Sequence, residues 1–236
     1  MYHNRWMRRL GLIGGTSWFS TQEYYRQLNS LVNERLGGLN SCECVIDSLN
    51  FALVASNINA NRFTENESLV LSAGYRLLGA RCEAVMICSN TLHQFAPALI
   101  ANVKLPVLEI PVAVTQAVVA TGLKRVAILG TESTMKGSFL SRPLEEQGIR
   151  CMVPNVEDRA FIHNSIFNEL TKGVFREETR DAYVTVAQRL IDAGAEGIVL
   201  ACTEIPMLIS SSDLSVPVFD TTAIHVRSAV TFALDS

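Results

Sequence analysis

The sequence predicts an α/β protein made of two similar lobes, each built on a parallel sheet. Two observations carry that expectation. Short, almost wholly apolar runs alternate with longer segments of helical periodicity, the mark of strands buried on both faces. The same signals then recur in the same order. Met86-Ile87-Cys88-Ser89-Asn90-Thr91 is echoed by Val199-Leu200-Ala201-Cys202-Thr203-Glu204, each an apolar run closed by a small hydroxyl or thiol side chain. Each follows a Gly-Ala pair (Gly79-Ala80, Gly194-Ala195) and an acidic residue (Glu83, Glu196), and each precedes a proline in another apolar run, Pro106 or Pro217. Upstream, Leu10-Gly-Leu-Ile-Gly14 matches Val126-Ala-Ile-Leu-Gly130. The glycine stands 75 residues before Ser89 and 72 before Cys202. Three anchors in one order indicate an internal duplication. A chain of 236 residues holds two such halves. The expected division is 1–110 together with about 222–236, and 111–221, with the active site in the cleft between the lobes.

Taken in order, Leu10–Gly14 reads as a buried strand with Gly14-Gly15-Thr16-Ser17 as its exit loop. Ser20 with Glu23 predicts a capping box opening a helix that runs to Gly37-Gly38. Cys44–Leu49 is the second strand, with Asn50 and Phe51 at its end. Thr64 and Glu67 predict another capping box, on a helix that stops near Gly79. Val85–Cys88 and Leu105–Glu109 are the third and fourth strands, separated by a short helix, Leu92–Ile100. Pro111 and Gly122 frame a connecting helix. The order then repeats. A strand over 125–130 leads to a helix broken by Gly137 and Pro143, a strand over 149–153, and a helix from Asp158 to about Lys172. A helix over Glu177–Ala193 precedes strands over 197–201 and 216–219. Thr222–Leu234 is a last helix, expected to return to the first lobe.

Apolar residues make up 48% of the chain and charged ones 18%, as in a compact soluble protein. A net charge of -3 and a pI near 5.8 offer no footprint for nucleic acid or an anionic membrane. The longest apolar span, Val107–Leu123, is interrupted by Glu109, Thr115 and Gln116 and falls short of the roughly 20 residues of a membrane helix. Arg5, Arg8 and Arg9 precede an apolar run too short for a signal-peptide core, and Met7 reads as the true start behind six loose residues. Six cysteines without a secretory signal point to reduced thiols in the cytoplasm. Cys42-x-Cys44 is expected to send its thiols to opposite strand faces, which leaves them no shared metal. Gly-x-x-Gly-Gly is not the dinucleotide pattern, and no Gly-Lys-Ser/Thr follows it, so no nucleotide cofactor is expected.

In open α/β sheets ligands bind beyond the carboxyl ends of strands. The loops there are Gly14–Trp18, Asn50–Phe51, Ser89–Thr91, Gly130–Ser133 and Cys202–Glu204. With the lobes facing one another, Ser89 and Cys202 become equivalent residues on opposite walls. Two acid/base groups flanking one carbon remove a proton from one face and return it to the other. A thiol ordinarily titrates near ~8.5 and falls beside positive potential, so Cys202 is expected to carry some thiolate at neutral pH. A serine hydroxyl has no such range and relays or donates a proton instead. Backbone amides and hydroxyls of Gly14–Ser17, Asn90, Thr91, Thr131 and Thr203 are candidate donors to a substrate carboxylate, with helix N-termini adding positive potential. Plainer roles stand beside these. Ser89 suits the cap of the next helix, Cys202 a small buried side chain and Glu204 a first-turn acid. His93 and His225 either orient a thiol or sit on helix faces.

The residues also carry a resemblance. Gly14-Gly15-Thr16-Ser17-Trp18, Ser89-Asn90-Thr91-Leu92-His93, Ala201-Cys202-Thr203-Glu204 and Asp220-Thr-Thr-Ala-Ile-His225 resemble motifs of the aspartate/glutamate racemase family. The resemblance runs from Leu10 to about Val230. It implies two Rossmann-like lobes, no cofactor, a homodimer, and two opposed cysteines that exchange the Cα proton of a carboxylated amino acid. The implied catalytic pair is Ser89 and Cys202. The implied substrate contacts are Gly15, Thr16, Trp18, Asn50, Phe51, Asn90, Thr91, Thr131, Phe161, Thr203 and Glu204. In the family's usual pattern the first cysteine immediately precedes Asn-Thr, where this chain has Ser89. Cys88 is one residue earlier and is expected to face the core. The chain is therefore similar to relatives with a hydroxyl residue here, which favour one enantiomer. Relatives often carry a lysine where Phe161 stands, and its absence leaves room for a less acidic side chain.

Two other readings share these residues. In hydantoin racemisation, maleate isomerisation or malonate decarboxylation one cysteine can suffice. A carboxylate-binding protein of low activity would need none. Fold analogy does not separate them.

Overall fold

A computed structural model describes residues 7–235, so the expected loose leader at residues 1–6 lies outside the described residues. The chain forms two compact units. One runs up to Glu109 and resumes at His225; the other is Ile110–Ile224.

The first unit contains β1 (Leu10–Gly14), α1 (Trp18–Leu36), β2 (Cys44–Ser48), α2 (Phe51–Asn59), α3 (Phe63–Gly79), β3 (Ala84–Ile87), α4 (Ala96–Asn102) and β4 (Val107–Leu108). The second contains α5 (Ile110–Val119), β5 (Arg125–Gly130), α6 (Glu132–Lys136), α7 (Ser138–Glu146), β6 (Arg150–Met152), α8 (Val156–Asn168), α9 (Glu177–Asp192), β7 (Gly197–Ala201) and β8 (Val218–Asp220). The last helix, α10 (Thr221–Leu234), begins in the second unit and ends in the first. Each unit holds a four-stranded parallel sheet, in the orders β2-β1-β3-β4 and β6-β5-β7-β8. The two orders are the same, so the predicted α/β duplication is the architecture observed.

Burial on both sheet faces explains the near-continuous apolar strands. In the first unit Ile13, Val85 and Ile87 join the core beneath α3 and α4. Leu10, Leu12, Met86 and Cys88 join a second core with Tyr24 and Leu28 of α1 and Val226, Ala229 and Val230 of α10. In the second unit Ile198 and Leu200 pack with α8 and α9, and Val199 and Ala201 with α5 and α7.

Several helix starts differ from expectation. Ser17, not Ser20, caps α1 by accepting a hydrogen bond from the Ser20 amide. The Ser20 hydroxyl is spent elsewhere, on the Cys88 carbonyl at 2.9 Å. The Thr64–Glu67 box also fails, because α3 begins at Phe63. The cause is a buried polar contact: Asn66 accepts from Asn57 Nδ2 at 3.0 Å and donates to the Val54 carbonyl at 3.1 Å. Those partners lie on α2, a helix the sequence reading left out and which Asn50 caps. Pro143 lies inside α7 rather than ending it, and the break falls at Gly137. Cys42 and Cys44 share one core rather than facing opposite ways, as residues two apart on an extended chain must.

Gly15 marks the closest backbone approach at the rim. Its φ is +89°, and a Cβ there would meet the Leu49 carbonyl oxygen at 2.1 Å. Left-handed strain and overpacking each cost ~1–3 kcal/mol. Gly15→Ala should therefore lower unfolding free energy by about 2–6 kcal/mol in urea titration. A loss below about 0.5 kcal/mol, the size of a neutral surface change, would contradict this account of the rim.

Candidate active site

In each unit the strand order reverses between the first and third strands, which creates a crevice at their carboxyl ends. Parallel pairing sets Ile13 opposite Ile87 and Leu129 opposite Leu200. Gly14 and Gly130 follow the first members of these pairs; Ser89 and Cys202 lie two residues beyond the second members. Ser89 and Cys202 therefore stand at the same step of a repeated sheet. Cys88, one position earlier, is fully buried in the α1-side core, and burial pushes its thiol far above the ordinary range. It is removed from acid/base work at the rim.

In the first unit, the β1 exit loop is drawn tight. The Gly15 amide donates to Thr21 Oγ1 at 2.7 Å, and the Leu49 amide donates to the Gly14 carbonyl at 3.0 Å. Thr16 Oγ1 is buried and has no hydrogen-bond partner among the described residues. Trp18 is 61% exposed and meets Phe19 at a tilt, with ring centres 4.3 Å apart. Asn50 spends its carbonyl oxygen on the Ala52 amide as the cap of α2, while Phe51 packs against the α3-side core.

Ser89 is 8% exposed, and its Oγ accepts from the Leu92 amide at 3.4 Å. It thus caps the turn over Thr91–Phe95 and keeps its own O–H proton for donation. His93 Nδ1 donates to the Ser89 carbonyl at 2.7 Å. His225 Nε2 donates to the Leu108 carbonyl at 2.8 Å, which leaves Nδ1 to accept from the Tyr24 hydroxyl at 3.0 Å. Burial depresses both imidazoles, to about 4 for His93 and about 3 for His225. Both are neutral at physiological pH and brace the backbone around Ser89 and β4. Asn90 is buried beside Ser89, and Thr91 is partly exposed.

In the second unit, Thr131 caps α6 by accepting from the Thr134 amide at 3.3 Å. Cys202 is 8% exposed, with Thr203 and Glu204 buried beside it. The Cys202 thiol donates to Glu204 Oε2 at 3.1 Å, and the Thr203 hydroxyl donates to the same oxygen at 2.7 Å. Burial pushes the Cys202 thiol well up, and the Glu204 carboxylate, by its charge and its hydrogen bond, pushes it further. This corrects the expected neutral-pH thiolate. The thiol holds its proton at rest because its neighbour is an anion rather than a cation.

Phe161 is 36% exposed and meets Tyr183 edge-on, with ring centres 5.8 Å apart. Tyr183 in turn joins the core that contains Cys202 and exchanges a 2.9 Å hydrogen bond with Ser165. One rim residue escaped the sequence reading. His163 Nδ1 accepts from the Glu132 amide at 3.3 Å, which leaves Nε2–H as a donor next to the Thr131 loop. Its spacing of four from Arg159, on one face of α8, was the available signal.

A family model described as Asp/Glu/Hydantoin racemase matches residues 13–229. A Yersinia pestis crystal structure provisionally assigned as an Asp/Glu racemase is similar at 38% identity, over 97% of this chain and 100% of that one, with a TM-score of 0.89. An aspartate racemase homologue from Pyrococcus horikoshii OT3 is similar at 31% identity, over 96% and 99% of the two chains, with a TM-score of 0.83. An uncharacterized protein of Pectobacterium carotovorum subsp. carotovorum is 29% identical over 94 residues, 40% of this chain and 61% of that protein's length.

Replacing the carboxylate tests the electrostatics. Glu204→Gln removes the anion that raises the Cys202 thiol, so the pH midpoint for alkylation of Cys202 by iodoacetamide, followed by peptide mapping, should move down. An unchanged midpoint would mean that Glu204 does not govern the thiol.

Proposed function

We propose that this chain, which belongs to the Asp/Glu/Hydantoin racemase family, is a cofactor-independent amino-acid racemase that uses Cys202 and Ser89 on opposite faces of Cα. The observation that carries the reading is the shared register of Ser89 and Cys202 at the two switch points. In this reading the enzyme is a cytoplasmic homodimer, and its substrate is a carboxylated amino acid. Thr16 Oγ1, the rim amides and the hydroxyls of Thr91 and Thr131 hold the carboxylate. Phe161 offers an aromatic edge where a cation would select an acidic side chain, which favours a less acidic substrate.

Because Cys202 rests protonated, its proton passes to Glu204 Oε2 along the existing hydrogen bond as the Cα proton passes to Sγ. The Cα–H bond breaks, an S–H bond forms, and the electron pair is delocalised into the substrate carboxylate. The Ser89 hydroxyl, or a water it holds, then protonates the opposite face. The cycle closes when Glu204 releases the former thiol proton and the Ser89 oxygen regains one through water. Serine is a poor base, so the enantiomer whose Cα–H faces Cys202 turns over faster than its mirror image.

Chiral chromatography of turnover tests this assignment. Cys202→Ala should lower kcat/KM on the order of 10²–10⁴-fold, the usual contribution of general acid–base catalysis. Ser89→Cys should raise the slow direction relative to the fast one. Full activity in the first variant, or unchanged kinetics in the second, would remove that residue from the mechanism. The resting thiol also suits a second reading, a one-cysteine reaction such as malonate decarboxylation, in which a single proton is delivered to a single face. That reaction would tolerate Ser89→Ala.

A further inference from the structure

A second thiol site lies at the other end of the first unit's sheet. Cys44 is the first residue of β2, and Cys42 sits just ahead of the ladder. Both side chains belong to the same core, Cys42 buried within it and Cys44 half-buried at its edge. Two residues apart on one strand face, the two thiols lie side by side. The pair is held from several sides. The Cys42 amide donates to Asn29 Oδ1 at 3.0 Å, the Glu43 amide to Met7 Sδ at 3.3 Å, and the Glu43 carbonyl accepts from the Leu10 amide at 2.9 Å.

From this arrangement we propose that Cys42 and Cys44 form a dithiol site that small-molecule disulfides of the glutathione type oxidise to an intramolecular disulfide. Among the described residues no group of three or more His, Cys, Asp and Glu side chains is placed to hold a metal, so the pair is not one edge of a metal cage. Residues two apart on an extended chain lie about 6.7 Å apart at Cα, inside the outer limit for a disulfide. Ring closure bends residues 42–44 and strains the bond from the Leu10 amide to the Glu43 carbonyl.

The order of attack follows from exposure and the pairing of the thiols. The neighbouring Cys42 side chain holds the Cys44 thiol below its ordinary value. The same pairing, followed by burial, pushes the Cys42 thiol far up. Cys44, the more exposed sulfur, therefore attacks first. Its thiolate bonds to one sulfur of the oxidant and expels the other as a thiolate, which takes up a proton. Cys42 then loses its proton and attacks the Cys44 sulfur of the mixed disulfide, expelling the second thiolate. Two protein thiols are oxidised, one external disulfide is reduced, and two small thiols leave.

Cys44 and Ser48 are separated by the length of β2, roughly 13 Å, so the pair is remote from the strand-end loops of its own unit. The proposal does not rest on the racemase reading. The chain offers a clean assay, because no Lys or Arg falls between Arg35 and Arg62, and the tryptic peptide 36–62 contains Cys42 and Cys44 alone among the six cysteines.

The folded chain is incubated in oxidised and reduced glutathione at graded ratios, quenched in acid, alkylated and mapped. Peptide 36–62 should lose two hydrogens and both alkylation sites as the ratio rises, and regain them with reductant. Cys42→Ser should instead trap one glutathione on Cys44. A wild-type peptide that stays alkylated at both cysteines at every ratio would overturn the proposal. So would one that accumulates glutathione adducts without closing the ring. An adduct on Cys42 in Cys44→Ser, with none on Cys44 in Cys42→Ser, would overturn the assigned order.

Discussion

The central strand pair of each unit, β1 with β3 and β5 with β7, governs where the chemistry falls. Parallel pairing brings two carboxyl ends side by side at the point where the strand order reverses. The backbone groups that end these strands therefore need partners outside the ladder. Short polar side chains supply many of them: Thr21 to the Gly15 amide, Ser20 to the Cys88 carbonyl and Thr221 to the Leu200 carbonyl. The same requirement keeps residues at the rim small and polar. Duplication of the strand pair duplicates the rim, and with it the step occupied by Ser89 in one unit and Cys202 in the other.

The two rims differ in electrostatics more than in geometry. Around Ser89 the nearby titratable groups are imidazoles that burial keeps neutral. Around Cys202 the nearest group is the Glu204 carboxylate, bonded to both the thiol and the Thr203 hydroxyl. A buried thiol beside a carboxylate keeps its proton but also has an acceptor already in place to receive it. The asymmetry of the proposed reaction thus has its origin in the surroundings of each residue as well as in the difference between oxygen and sulfur.

Much of the fold was legible because burial on both faces writes itself into composition. Ile13, Ile87, Leu129 and Leu200 sit in runs that fit a parallel strand, and the spacing of the flanking glycines exposes the repeat. Helix starts were less legible. Ser17 and Ser20 are equally good caps by local pattern, and the choice turns on Cys88, 68 residues away, whose carbonyl takes the Ser20 hydroxyl. Likewise, α2 shows itself only through the Asn57–Asn66 contact that draws back the start of α3. At the site, the sequence showed that Glu204 follows Cys202 by two. It did not show that the carboxylate folds back onto the thiol, which reverses the expected protonation. Cys42 and Cys44 could have been read correctly, since period-two alternation places them on one face.

The most direct test of the racemase account is exchange of the Cα proton with solvent. The protein would be incubated in deuterium oxide with a panel of L- and D-amino acids and the Cα resonance followed by nuclear magnetic resonance. The account predicts deuterium at Cα for at least one amino acid, faster from one enantiomer than the other, with exchange abolished in Cys202→Ala. An absence of exchange across the panel, or exchange that persists without the Cys202 thiol, would contradict it.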